Sequence, residues 1–475
     1  GNLKKAALCL GAFLLVACAN IPNLEKNEKI SNISNISIKN SSQDFDLTFH
    51  SEKWWLVLND SSLNHLIELV LKNNKSLQIA KLNIKKSEEA INLSKSSKNL
   101  DISFRSGLTR VETRENPLKN LTGKDNYSLY NIGLQTSYEF DLFDKFDNSI
   151  KEKEYQKIAV DASSKLAELT LEYQTFKLYA YYLYLNEERS NLEDRKALLE
   201  KLYSMEKIGV EIGKSLEDNV LVIKEMLVGV NILLNKNEEN INLVKNNLYL
   251  LVGTTSSIEV DNILNNTKNK DFKKLSSKII IPSSVQSDII INRPNVQYYL
   301  ALIEAQDSKI KSLKANFYPS FSITGLLSYK SLKLSDLISP KNLVGIISPS
   351  IHLPILDSGR IKSTYKIAGI DYNIFVEEYN NEILNSYKDI NEKLIQYNSA
   401  KNINIESEKL LKIRDEQLTR SKKRFEIGLG TEKAYITEKY NYLATKLEDS
   451  QNNLMLFNTK IDFLNSIGGA YSPKN

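Results

Sequence analysis

The sequence predicts an internally duplicated α+β membrane protein. Each half is expected to contribute two strands and a hairpin of very long helices. Three observations carry this: a short apolar leader, blocks of sequence that recur in order, and strand-like alternation set between stretches free of helix breakers. Nine prolines and 17 glycines are few for 475 residues, so long regular elements are expected.

The leader comes first. Lys4 and Lys5 precede an apolar run from Ala6 to Val16, eleven residues broken only by Gly11. A membrane-spanning helix needs ~20 apolar residues, so the run has the length of a signal-peptide core instead. It ends in Leu15-Val16-Ala17-Cys18, which resembles the bacterial lipobox. That signal is cut before a cysteine whose thiol receives a diacylglycerol. An ordinary secretory signal with an incidental cysteine is the plainer alternative. Residues 1–17 are therefore expected to be a lipoprotein signal peptide and Cys18 the lipidated residue. Ala19, where an Asp would retain the protein, favours the outer membrane by resemblance to lipoprotein sorting rules. Cys9 leaves with the leader, so no intramolecular disulfide remains possible. The formal charge of +5 loses two lysines and becomes +3, near balance for about 458 residues. No nucleic-acid footprint is implied.

The duplication is read from three blocks. "LQIAKLNIKKSEEAINLSKSSKNLDISFRSG" from Leu77 lies over "VQYYLALIEAQDSKIKSLKANFYPSFSITGL" from Val296. "SYEFDLFDKF" (137–146) lies over "SIHLPILDSG" (350–359), with Asp144 meeting Asp357. "VEIGKSLE" (210–217) lies over "FEIGLGTE" (425–432), and that match runs ungapped to Gly253 over Gly468. The shared order and nearly constant offset point to a repeat rather than to chance. The expected organisation is an N-terminal segment over 18–60, a first repeat over 61–275 and a second over 276–475. Each repeat reads helix, strand, loop, strand, long helix, turn, long helix.

Strands are expected at about 100–113, 128–142, 318–330 and 344–356. Tyr130, Ile132, Leu134, Tyr138 and Phe140 fall on one face of the second, interrupted only by Thr136. Asn131, Gly133, Gln135, Ser137, Glu139 and Asp141 fall on the other. Ile102, Phe104 and Leu108 oppose Ser103, Arg105 and Thr109 in the first strand, and Phe321, Ile323, Leu327 and Tyr329 oppose serines and a threonine in the third. The fourth carries Ile347, Ile351, Leu353 and Ile355, with Pro349 and Pro354 inside, which suggests an edge or a bend. Alternation of this kind marks a strand with one apolar and one polar face. It suits a lipid-facing barrel strand of ~9–11 residues, and equally a half-buried sheet in a soluble sandwich. Four strands cannot close a barrel alone, since single-chain bacterial barrels start at about eight.

The helices are the other half. No proline, and no glycine before Gly209, occurs between Asn148 and Ile212; only Gly369 interrupts 362–427. At 1.5 Å per residue each run could reach ~95–100 Å. Leu166, Leu169, Tyr173, Phe176, Ala180 and Leu183 alternate spacings of three and four, and Tyr379, Ile383, Tyr387, Ile390, Leu394 and Tyr397 behave similarly. That is coiled-coil seam spacing.

The chain resembles the TolC-like outer-membrane efflux proteins, in particular the lipoprotein branch that works with resistance-nodulation-division (RND) pumps. The resemblance covers essentially the whole chain after the leader. It is carried by "RPNVQYYLALIEAQDSKIKSLKANFYPSFSITG" (293–325), "SYEFDLFDKF" (137–146), "HLPILDSGRI" (352–361) and "RFEIGLGTEKAYIT" (424–437). The family pattern has Asp where Asn295 stands and Phe where Leu356 stands; Asp357, Gly359 and Arg360 match. What the resemblance implies is a homotrimer. Its four strands per chain form a twelve-stranded barrel in outer-membrane lipid, continued by an α-helical coiled-coil barrel in the periplasm, with 18–60 wrapped around it. It implies an exit duct rather than an enzyme. The duct would serve a periplasmic adaptor (membrane fusion) protein and an inner-membrane RND transporter, exporting drugs or other small molecules. No cofactor is expected beyond the covalent lipid on Cys18, and no metal. A duct for type I protein secretion beside an ATP-driven transporter is the alternative within the same fold. A lipid-anchored coiled coil of structural or adhesive role is a poorer third, because it needs no such strands.

By the same resemblance the two "EIG" turns are periplasmic tips that contact the adaptor. Gly213 and Ser215 match the first tip, with Lys207 near the place of its basic residue; Arg424, Gly428 and Thr431 match the second. The alternative is that these are helix caps alone. Gly213 and Gly428 are expected to take positive φ for a tight reversal. Many relatives carry an aspartate just beyond the second tip glycine; here Glu432 to Thr437 holds none. Glu217, Asp218 and Glu432 are then the acidic candidates for an entrance gate favouring cations, with Tyr435 as a steric candidate. "GVEIGKS" (209–215) is not a phosphate loop: it has three residues between its glycines, where the motif needs four. His50, His65 and His352 are scattered and form no catalytic or metal-binding pair.

Overall fold

A computed structural model describes residues 21–26, 37–39, 53–267, 270–281 and 284–467. The expected signal peptide 1–17, Cys18 and most of the 18–60 segment lie outside the described residues. The strands are β1 (Ser37–Lys39), β2 (Asp101–Val111), β3 (Tyr127–Phe140), β4 (Ser284–Gln286), β5 (Ser320–Ser331) and β6 (Leu343–His352). Leaving aside single-turn pieces, the helices are α1 (Ser61–Asn73), α2 (Lys75–Lys95), α3 (Lys145–Glu211), α4 (Glu217–Val252), α5 (Ile258–Asn265), α6 (Phe272–Ser277), α7 (Pro294–Lys314), α8 (Arg360–Glu426) and α9 (Glu432–Ser466). Two compact units are present, one built around 83–160 and 299–379, the other around 161–298 and 380–475. They cut across the two sequence repeats, because one long helix from each repeat runs from the first unit into the second.

The first unit holds a four-stranded antiparallel sheet in the order β2-β3-β5-β6. The central pairing of β3 with β5 joins the two repeats. Strands β2 and β6 are left as edges. The expected fourth strand is shortened at its end: Leu353 and Ile355 lie outside it, since Pro354 has no N–H to continue a ladder. Pro349 stays within β6, as an edge strand allows. One apolar face, including Ile102, Phe104, Leu134, Leu327 and Ile347, is bare, and Ile347 is 77% exposed.

Two carboxylates start the long helices. Asp141 accepts the amides of Phe146 and Asp147, both at 2.9 Å, and caps α3. Asp357 accepts those of Gly359 (3.1 Å) and Ile361 (2.9 Å) and caps α8. The capping acid of the first half is therefore Asp141, not Asp144, which stands in the left-handed region at φ 58°. Both helices have 67 residues. Gly369, the single glycine inside α8, seats Leu24: a Cβ there would stand 2.9 Å from the leucine Cδ2. Leu24 and Ile21 pack on a cluster of Ile310, Tyr365 and Ala368. Lys26 completes this clasp, pairing with Asp307 at 2.8 Å and lying over the Tyr372 ring.

The second unit carries a small ribbon of β1 with β4. It also holds the helical hairpins, α3 with α4 and α8 with α9. Leu169, Tyr173, Phe176, Ala180 and Leu183 are buried as the seam spacing requires, as are Tyr379, Ile383, Ile390, Leu394 and Tyr397. Two seam positions differ. Leu166 is 39% exposed, and the buried residue one turn earlier is Ala162. Tyr387 is 38% exposed, because Ser386 takes the seam place and accepts a hydrogen bond from Asn295 at 3.2 Å. Among the described residues no helix is long and apolar enough to cross a membrane.

Candidate functional site

The two helical reversals are built alike. In the first, Gly213 has φ 74°, its N–H donates to Val210, and the Lys214 N–H reaches back to the Gly209 carbonyl. In the second, Gly428 has φ 80°, its N–H donates to Phe425, and the Leu429 N–H reaches the Arg424 carbonyl. Both are Schellman motifs, in which a left-handed residue lets the next amide satisfy an orphan helix carbonyl. The positive φ expected of both glycines is observed.

Beyond the glycines the two tips differ. Thr431 caps α9, accepting the Ala434 amide on its hydroxyl at 3.1 Å. The place before α4 is Leu216, which has no side-chain cap. Ser215 is not the counterpart of Thr431. Its hydroxyl donates to Glu206 of α3, and its N–H donates to the Gly209 carbonyl at 3.1 Å. Gly430 repeats that N–H bond to Arg424. The position of Arg424 is thus filled by Gly209 in the first tip. Lys207 stands elsewhere, with its ammonium over the Tyr203 ring.

Sequence reading missed Glu206. It is 4% exposed and bonds both Ser215 and Lys433 of α9. Hydrogen bonds from Lys433 and Ser215 outweigh desolvation and hold its carboxyl below the usual glutamate value. Lys201 pairs with Glu432 at 2.8 Å, and Arg195 donates to the Tyr440 hydroxyl at 3.2 Å. Polar side chains therefore stitch α3 to α9, over an apolar core of Leu199, Leu202, Ile223, Val230 and Ile436. Of the gate candidates, Glu432 is engaged by Lys201, and Tyr435 stacks on Phe425 with centroids 6.0 Å apart. Glu217 and Asp218 are exposed in the first turn of α4, where the helix dipole favours acids.

The Arg-Pro-Asn element forms a second node, at the start of α7. Arg293 donates to Asn295 (3.0 Å), to the Ser466 carbonyl (2.5 Å) and to Asp389 (3.4 Å). Burial lowers its pKa, and Asp389 opposes that shift. Asn295 donates to Glu382 and Ser386. An aspartate there would keep the acceptor for Arg293 but lose the donor to Glu382 and Ser386, setting a second carboxylate against Glu382.

The polar face of the sheet carries Asp101, Ser137, Thr324 and Ser348 in one row and Glu139, Ser322 and Ser350 in the next. Glu139 pairs with Lys145 at 2.9 Å. Asp141, Asp144 and Asp147 bring carboxylate oxygens within 4.8 Å of one another, but Asp141 is a helix cap and Asp147 bonds Lys98.

Comparison with known proteins agrees with this architecture. The family model described as outer membrane efflux protein matches residues 66–254 and 285–438. The probable efflux pump outer membrane protein TtgC of Pseudomonas putida is 21% identical over 473 residues, covering 98% of this chain and 95% of its own. The probable outer membrane lipoprotein SilC of Salmonella typhimurium is 23% identical over 350 residues, 73% of this chain and 72% of its own. The crystal structure of the Campylobacter jejuni CmeC outer membrane channel superposes with a TM-score of 0.79 at 20% identity, covering 96% of this chain and 95% of that one. With bare apolar strands, paired long hairpins and a matching family model over most of its length, the chain belongs to the outer membrane efflux protein family and works as an exit duct in the outer membrane.

Proposed function

We propose that three copies close their sheets into one twelve-stranded barrel, held in the outer membrane also by lipid on Cys18. The duct then passes drugs or other small molecules delivered by an inner-membrane RND transporter through a periplasmic adaptor. The observation that carries this is the sheet with one bare apolar face and two unpaired edges. Lipid does not tolerate open edges, because unpaired N–H and C=O groups find no water there. Joining β6 of one copy to β2 of the next removes every edge. The polar faces then line a wet lumen.

In this reading Gly213, Ser215, Arg424, Gly428 and Thr431 shape the surfaces that meet the adaptor. Glu217 and Asp218 supply the acidic entrance. Glu432 and Tyr435 hold the tips together rather than gate them. Conductance of the acylated protein in planar bilayers, after its mass in detergent is measured, tests the reading. Small, discrete openings that require the trimer are expected, and changing Glu217 and Asp218 to amides should shift the reversal potential toward anions. A stable non-trimeric species without conductance would overturn it.

A further inference from the structure

We propose that the lumen face of the sheet carries an anion-binding band made by Arg105 and Lys330, toward the strand ends that bear the loops at 112–126 and 332–342. The proposal rests on the barrel reading, in which this face is wet. Register places the two cations. Arg105 stands opposite Gly133, which stands opposite Ser328; Lys330 stands opposite Asn131. Both therefore share the face of Asn131, Gln135, Ser137 and Glu139. They occupy adjacent rows, two strands apart, about 12 Å between α-carbons at ordinary sheet spacing.

Gly133 lies between their strands, on β3, and packs directly against β5. It has no alternative: a Cβ there would collide with the Leu327 carbonyl oxygen and the Ser328 backbone. Neither cation has a carboxylate within ion-pair distance among the described residues. The acids nearby are engaged elsewhere. Glu112 pairs with Arg110 at 3.4 Å, Asp125 with Lys119 at 3.5 Å and Asp336 with Lys341 at 3.8 Å. Asp101 and Glu139 sit further along the same face, Glu139 roughly 20 Å from the Gly133 row and already paired with Lys145. Between the Gly133 row and Glu139 lie the neutral side chains of Gln135, Ser137 and Thr324.

Two cations on the lipid side would oppose insertion; on the lumen side such residues tune selectivity. Three copies set six positive charges around one aqueous bore, whose low-dielectric wall focuses their field. Arg105 offers a planar donor fork suited to phosphate or carboxylate oxygens, and Lys330 a mobile point charge. The ligand class is a multivalent anion, met on the way out.

The test is open-channel block of the acylated trimer in planar bilayers at ~0.1 M salt, where screening extends about 10 Å. Tripolyphosphate is added to each chamber in turn. Voltage-dependent block from the loop side is expected. Arg105→Gln with Lys330→Gln should raise the half-blocking concentration about tenfold or more. Arg105→Lys and Lys330→Arg should keep it within about twofold, since each retains the charge. Detergent mass identifies variants that assemble. Conducting trimers whose block is unchanged in the double variant overturn the band. A protein that forms no conducting trimer overturns the duct, and the band with it.

Discussion

Glu206 is a carboxylate nearly without solvent, placed where one helix turns and another begins. Its oxygens are taken by Lys433 and Ser215. Glu206→Gln should cost about 1–2 kcal/mol of local stability, since Lys433 stays half exposed and keeps water; hydrogen exchange over 206–215 and 431–437 would read it. Because the folded carboxyl lies below the ordinary glutamate value of 4.5, the contribution is complete above that pH and lost as pH falls through the lower folded value. Lys460 is the opposite case. Burial, then repulsion from Lys401, lowers it to about 8, and its ammonium donates to the Ser276 carbonyl at 3.1 Å. Folding therefore disfavours its charge at pH 7. Lys460→Met should raise stability there by about 1–3 kcal/mol, and the difference should shrink as pH rises from 8 toward 10.5. Thermal melts of both proteins across that range check the sign. Neither residue was legible in the sequence. A charge on a helix reads as solvated, and only the neighbouring hairpin decides otherwise.

Elements were far more legible than their contacts. Alternation located all four strands of the sheet within a few residues, because a sheet with one apolar and one polar face repeats its pattern every two residues. It failed at the end of β6, where proline chemistry outweighs apolar character. Seam spacing failed at Tyr387 for a different reason: the Arg293–Asn295 node places a serine in the seam, and that node joins residues far apart in sequence. Asn295→Asp should lower the unfolding free energy by about 1–2 kcal/mol through repulsion from Glu382. Glu382→Gln in the same chain should restore it, and a double-mutant cycle by thermal unfolding measures the coupling. On β6, Ile347→Lys puts a charge on the apolar face, a change worth about 2–4 kcal/mol at mid-membrane. Ile346→Lys puts it on the other face. Trimer recovered from outer-membrane fractions should fall for the first and persist for the second.

For the molecule as a whole, duplication was the most informative reading. Repeated blocks fixed the order of elements, yet the compact units cross the repeats because α3 and α8 are continuous. The clasp of Leu24 and Lys26 on α7 and α8 could not be foreseen, since Gly369 reads as a weak point in a helix until its occupant is known. Cys18→Ser should abolish the acyl mass on the mature chain and release it from sedimented outer membranes; intact mass and fractionation test both.

The twin tips share one steric constraint and meet it with the glycine on opposite sides. In one, Gly209 faces Ser215, and a Cβ would stand 3.0 Å from the serine Cβ; in the other, Gly430 faces Arg424, where the distance would be 3.2 Å. Each touching pair keeps one glycine, on opposite members. In each turn a side chain on both members would crowd the pair. Grafting a single residue from one hairpin to its twin should therefore fail where grafting the pair succeeds, so each turn accepts its residues in couples rather than one by one.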